Sequence, residues 1–147
     1  MREQMKHSTR RTVLALLLAA IAVPQLAAAQ DPRATLVQKS ARDWLALADK
    51  LDTSGTWKAA GVRFQNAMPE SRWATLLRRE RESRGAVVQR TIVGTTFGSN
   101  FPALPAGGTY AMVRFRTAFA NNPNGAEDVT LEQGSDSVWR VIGYVIR

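Results

Sequence analysis

The chain contains no cysteine, and its only histidine is His7. The missing thiol excludes disulfides, thiolate zinc sites, iron–sulfur clusters, a cysteine nucleophile and a lipid anchor attached through cysteine. With His7 near the start, the body of the chain has no imidazole for a Ser-His-Asp or Cys-His site. It also lacks the usual ligands for zinc or copper. No cofactor and no metal are therefore expected. Long apolar runs are missing too: the longest, Thr12 to Val23, has 12 residues, short of the roughly 17 to 25 that a membrane-spanning helix needs.

What is present is an ordinary globular mixture, 147 residues with 45% hydrophobic and 22% charged. That length suits one domain. The first 29 residues read as a secretory leader: a basic stretch with Arg2, Lys6, Arg10 and Arg11, then the apolar run, then Pro24 and the small residues Ala27-Ala28-Ala29. Cleavage after Ala29 leaves a single domain over 30–147, without a transmembrane segment and placed in the periplasm or outside the cell. Thr9-Arg10-Arg11 also resembles a twin-arginine export signal, and both export routes stay open. The whole chain carries a net charge of +8. Without its leader it keeps 16 basic and 11 acidic residues, a net charge near +5. A nucleic-acid partner is not expected for an exported protein. A basic surface there attracts polyanions of the cell envelope, unless it serves only solubility.

The remainder divides into a helical half and a strand half. Leu36, Val37, Ala41, Trp44, Leu45, Ala48 and Leu51 fall on one stripe of a first helix. Asp52-Thr53-Ser54-Gly55 offers a stop and a cap for a second helix, which carries Trp57, Ala60, Phe64 and Met68. Pro69 opens a third helix with Trp73, Leu76 and Leu77, which ends at Gly85. Beyond Gly85 the period changes. Residues 86–97 are rich in Val, Thr and Ile, and residues 110–120 alternate. Residues 121–125 (Asn-Asn-Pro-Asn-Gly) signal a turn, and strands follow over 127–132 and 138–147. Pairing Ala120 with Ala126 sets Thr117 opposite Val129, Phe115 opposite Leu131 and Arg114 opposite Glu132. Pairing Gln133 with Ser137 adds Trp139, Val141, Gly143 and Val145 to the apolar face. The expected architecture is α+β, with three helices on one face of a four-stranded antiparallel sheet.

The closing run Trp139-Arg140-Val141-Ile142-Gly143-Tyr144-Val145-Ile146-Arg147 resembles the last strand of the bacterial family called domain of unknown function 4019. Asp49 to Trp57, Trp73, Arg81 with Gly85, Arg90, Phe115-x-Thr117-x-Phe119 and Glu127-x-Val129-x-Leu131 resemble other pieces of it. The loop from Pro102 to Tyr110 departs from the family pattern. The resemblance implies a small exported domain similar to cystatin-like or nuclear-transport-factor-like folds, and implies no activity.

Candidate chemistry comes from side chains. Asp52 sits at a helix junction, where capping is expected of it. Asp49 flanks the first stripe, with a hydrogen bond to the Thr53–Trp57 segment expected. The tryptophans Trp44, Trp57, Trp73 and Trp139 read as core. Residues 78–84 alternate Arg and Glu in the manner of a solvated helix face. On the charged sheet face Arg114, Arg116 and Arg140, with Tyr110 and with Tyr144 and Arg90 joining them, are candidate binding residues for an anionic envelope component or a protein. The competing role for Arg114 is a cross-strand charge ladder with Glu132. Two functional classes follow: a non-catalytic binding or interaction module, and a small cofactor-free enzyme that uses an Asp/Tyr pair in an apolar pocket.

Overall fold

The computed structural model describes residues 31–147; the leader expected over residues 1–29 lies outside them. Four helices precede four strands: α1 (Arg33–Asp49), α2 (Thr53–Ala59), α3 (Val62–Ala67), α4 (Glu70–Arg84), β1 (Val87–Gly98), β2 (Tyr110–Phe119), β3 (Asn122–Gln133) and β4 (Trp139–Ile146). The strands form one antiparallel sheet in the order β1-β2-β3-β4. The helices cover one face of it, so the architecture is α+β.

The middle helical segment is two short helices rather than one. The backbone of Ala60 and Gly61 is extended, and the Gly61 N–H leaves the helix to donate to the Val141 carbonyl on the edge of β4 at 2.8 Å. Gly85 ends α4 with φ +78°, the left-handed conformation that its lack of a Cβ permits. Among helix-stripe residues, Val37, Ala41, Trp44, Leu45 and Ala48 are buried against the sheet, whereas Leu36 is 59% exposed. Trp44, Trp73 and Trp139 are buried and Trp57 packs against the same core. Thr56 accepts the Trp44 indole N–H on its carbonyl and the Trp73 indole N–H on its hydroxyl, each at 2.9 Å. That tie sets α2 between α1 and α4.

The strand register differs from the expected one. Phe119 pairs with Asn122, so the chain reverses at Ala120 and Asn121, and residues 122–125 belong to β3. Gly125 lies opposite Thr117 where a Cβ would stand 2.8 Å from the Thr117 carbonyl oxygen. Its job is close strand approach rather than a turn. Val113 therefore faces Val129, Phe115 faces Glu127 and Arg114 faces Asp128. The displacement is four residues, an even number, so every side chain keeps its expected face while its partner changes.

The last hairpin pairs Gln133 with Trp139 rather than with Ser137. A bulge follows, in which Leu131 pairs with Val141 and Thr130 with Gly143. The extra residue exchanges the faces of the strand beyond it. Trp139 and Val141 point into the core as expected. Gly143 and Val145 do not, and Val145 is 49% exposed. Tyr144 turns inward. A similar irregularity in β1 between Ile92 and Gly94 lets Arg90 and Ile92 before it and Phe97 after it all face the helices.

Candidate functional site

Charge inside the molecule is concentrated where α1 and α4 end over the middle of the sheet. Arg81 continues the Trp73–Leu77 stripe at four-residue spacing, which aims it at the core. Its side chain is 5% exposed, against the expectation of a solvated face. Glu127 alternates with Val129 and Leu131, so the pleat turns it inward, and it is fully buried. Arg90 reaches in from β1, Thr117 from β2, Tyr144 from β4 and Asp49 from the last turn of α1.

These six side chains form one closed network. Glu127 Oε1 accepts from Arg81 Nη1 at 2.9 Å, from the Tyr144 hydroxyl at 2.5 Å and from Arg90 Nη2 at 3.2 Å. Its Oε2 accepts from Arg90 Nε at 2.6 Å and from the Thr117 hydroxyl at 2.5 Å. Asp49 accepts from Arg90 Nη1 and Nη2, both at 2.8 Å, and from Arg81 Nη2. Arg81 Nη1 also donates to the Tyr144 oxygen at 3.1 Å, and its guanidinium carbon sits 5.3 Å from the centre of the Phe119 ring. The ring of Tyr144 meets Trp44 edge-on at 5.0 Å. Two carboxylates face two guanidiniums, so the charge of the cluster sums to zero, with Arg81 and Glu127 buried and Asp49 at the rim with 31% of its side chain exposed. Isolated buried charges would be prohibitive, and mutual pairing with full hydrogen bonding is what makes the cluster tolerable.

The electrostatics follow from this packing. Burial pushes Asp49 upward, but hydrogen bonds and charge from Arg90 and Arg81 outweigh it and hold the carboxyl below its ordinary range. Burial lowers Arg90, while Asp49 and Glu127 more than compensate and raise it. Tyr144 is pushed well above its ordinary value, first by burial and then by the neighbouring Glu127 charge. A general base needs a lone pair free to face substrate and a pKa near the working pH. Here five donors occupy the two Glu127 oxygens, Asp49 is a weakened base, and Tyr144 holds its proton. The arrangement joins α1, α4 and all four strands at one point.

The expected binding residues are not brought together. Arg114, Arg116 and Arg140 do share the outer sheet face. Tyr144 lies on the inner face because the β4 bulge changes its side, and Arg90 lies there because it pairs with the inward-facing Thr117. Tyr110 is buried and donates its hydroxyl to the Pro105 carbonyl at 2.9 Å, which pins the loop before β2. Asp52 caps α2, accepting the Gly55 N–H at 2.8 Å. Asp49 joins the network rather than the Thr53–Trp57 segment. On the outer face Arg114 makes a forked pair with Asp128 at 2.8 and 3.1 Å, in place of Glu132. Arg147 also reaches Asp128, Arg140 pairs with Asp136, and Arg63 pairs with Glu132. Arg116 stands between Thr91 and Ala126 and has no ion-pair partner among the described residues. Two shallow hollows of about 460 and 470 Å³ flank it, each lined by Arg116 and Val93.

Among the described residues no group of three or more His, Asp or Glu side chains is placed to hold a metal ion. No helix there is long and apolar enough to cross a membrane. A family model described as protein of unknown function (DUF4019) matches residues 40–144. The chain belongs to this family. No curated protein and no solved structure matches it. In this DUF4019 chain all six network residues fall inside the matched span. They also fall within the segments that carry the resemblance.

Proposed function

We propose that the protein is an exported, non-catalytic binding module, and that it meets an anionic component of the cell envelope through the outer face of its sheet. The observation that carries this reading is Arg116. It is an exposed guanidinium with a threonine and an alanine opposite it, on a face where Arg114, Arg140, Arg147 and Arg63 are all paired with carboxylates. The hollows beside it, lined also by Thr91, Gln89 and Asn124, give an anionic group room to approach and polar groups to meet. Tyr110 serves the same face indirectly by fixing the loop at its border. The closed inner network supports a module without acid–base chemistry. Export rests on the leader pattern ending at Ala29.

Co-sedimentation with phosphatidylglycerol vesicles tests the reading. The protein should pellet with them, far less with phosphatidylcholine vesicles, and progressively less as salt is raised, because exposed charges are screened over about 10 Å at 0.1 M. Arg116→Glu should reduce binding at least tenfold with an unchanged urea midpoint. Equal binding to both lipids, or full binding by Arg116→Glu, contradicts it.

A further inference from the structure

The outer edge of β4 changes character along its length. At Val141 it is closed, because the Gly61 N–H donates to the carbonyl there. Further on, Arg147 and Ala126 exchange both main-chain bonds, at 2.9 and 3.0 Å. Bonded and non-bonded pairs alternate in an antiparallel ladder. The register opposes Ile146 to Glu127, Val145 to Asp128 and Tyr144 to Val129, so the N–H and C=O groups of Tyr144 and Ile146 point away from β3. Among the described residues no main-chain hydrogen bond from outside the sheet reaches them. Beside this stretch, between α4 and β4, lies a hollow of about 210 Å³ lined by Trp73, Leu76, Leu77, Tyr144 and Ile146. It has room for one large apolar side chain. The one charged residue in its lining is Glu80, whose carboxylate is already held by Arg79 and Arg84 at 3.1 and 2.7 Å. Arg72 and Arg79 are exposed and flank Leu76 on the same side of α4, at four- and three-residue spacing. Three guanidiniums therefore stand against one carboxylate along this wall.

We propose that this groove takes an extended acidic peptide segment of a partner protein. The segment adds a strand to β4 at Tyr144 and Ile146 and sets one apolar side chain into the hollow against Trp73 and Leu76. Its carboxylates meet Arg72 and Arg79. Three features select this occupant. The outward N–H and C=O groups are matched by another main chain, as in strand addition, and an acyl chain offers them nothing. The hollow admits a single side chain, which suits the alternate side chains of a strand rather than the apolar face of a helix. The surplus of guanidiniums on α4 attracts acidic residues and repels a second copy of this chain, in which 20 Lys and Arg stand against 12 Asp and Glu. The site lies on the inner side of the sheet edge, away from Arg116. Tyr144 serves it through its main chain, while its hydroxyl stays bonded to Glu127.

Fluorescence anisotropy tests this on the chain expressed with its leader and purified as the cell makes it. The probes are short labelled peptides, each with one leucine or phenylalanine set between acidic and β-branched residues. Saturable binding is expected. It should be lost when the apolar residue is replaced by asparagine, and when the peptide amides are N-methylated and can no longer donate. Arg79→Glu should weaken binding about tenfold, with an unchanged urea midpoint. Arg78→Glu makes the same change of charge two residues from Leu76, on another side of α4, and should leave binding as in the parent. In isotope-labelled protein the amide resonances of Tyr144 and Ile146 should shift on binding, and their hydrogens should exchange more slowly with solvent. The absence of saturable binding overturns the proposal. So do equal losses from Arg78→Glu and Arg79→Glu, undiminished binding of N-methylated peptides, or shifts centred away from Tyr144 and Ile146. Decanoate that shifts these resonances where no peptide does would make the groove an acyl-chain site, and overturns it as well.

Discussion

Glu127 decides how the interior works. A fully buried carboxylate, opposite Phe115 on the neighbouring strand, is stable only while Arg81 and Arg90 neutralise it, and each of them is in turn held by Asp49. Removing one member of a buried ion pair strands the others, at a typical cost of about 3 to 5 kcal/mol. Tyr144→Phe deletes one charge-assisted hydrogen bond and keeps the ring against Trp44, so a smaller loss of about 1.5 to 3 kcal/mol is expected in urea unfolding. The same residue gives a signature at high pH. Its folded phenol ionises above its value in the unfolded chain, 10.0. The unfolded state therefore gives up its proton first, and stability is lost as pH rises past about 10. Asp49 acts in the opposite direction. Its contribution is present above the ordinary carboxylate range of about 4 and is lost as pH falls through its depressed value. Urea midpoints measured from pH 3 to 11 should fall at both ends, and Tyr144→Phe should flatten the alkaline fall.

At the scale of elements, the helix boundaries and strand faces are written locally, and the strand partners are not. Asp52 is recognisable as a cap from its position alone, and Asp52→Ala should cost about 1 kcal/mol of stability in urea unfolding. Trp139 is placed inward by alternation and is 5% exposed; Trp139→Ala should lower stability by about 3 to 5 kcal/mol through lost transfer energy and the cavity left behind. Tyr144, five residues further along, was legible only with the bulge near Thr130, and a bulge leaves little mark on composition. The register of β2 against β3 depended on seeing that Gly125 serves close approach to Thr117 rather than the turn. Arg114 is a ladder residue on either register, but its partner is Asp128. A double-mutant cycle of Arg114→Ala with Asp128→Ala should show coupling that shrinks with added salt, whereas Arg114→Ala with Glu132→Ala should be additive.

For the whole molecule, the six network residues come from α1, α4 and every strand, over sequence separations as wide as Asp49 to Tyr144. No local pattern announces such a cluster. Arg81 looks like part of a charged helix face until its stripe is followed from Trp73 through Leu77, and Glu127 looks like a strand-end charge until its alternation with Val129 is taken literally. Interior charge is paired within the network, and on the outer sheet face Arg116 stands without a carboxylate partner among the described residues. Export completes the proposal, and N-terminal sequencing of protein recovered from the cell envelope should begin at or near Gln30. A chain retaining Met1 in the membrane fraction contradicts that.

The central claim is that the buried network holds the fold together and takes no part in binding or turnover. The urea midpoint of Glu127→Gln, read beside vesicle binding under native conditions, tests it most directly. The midpoint should fall by an amount equivalent to about 3 to 5 kcal/mol, while the protein that remains folded binds phosphatidylglycerol vesicles as tightly as the parent. A midpoint unchanged from the parent, together with lost binding, would contradict it and place the function inside the network.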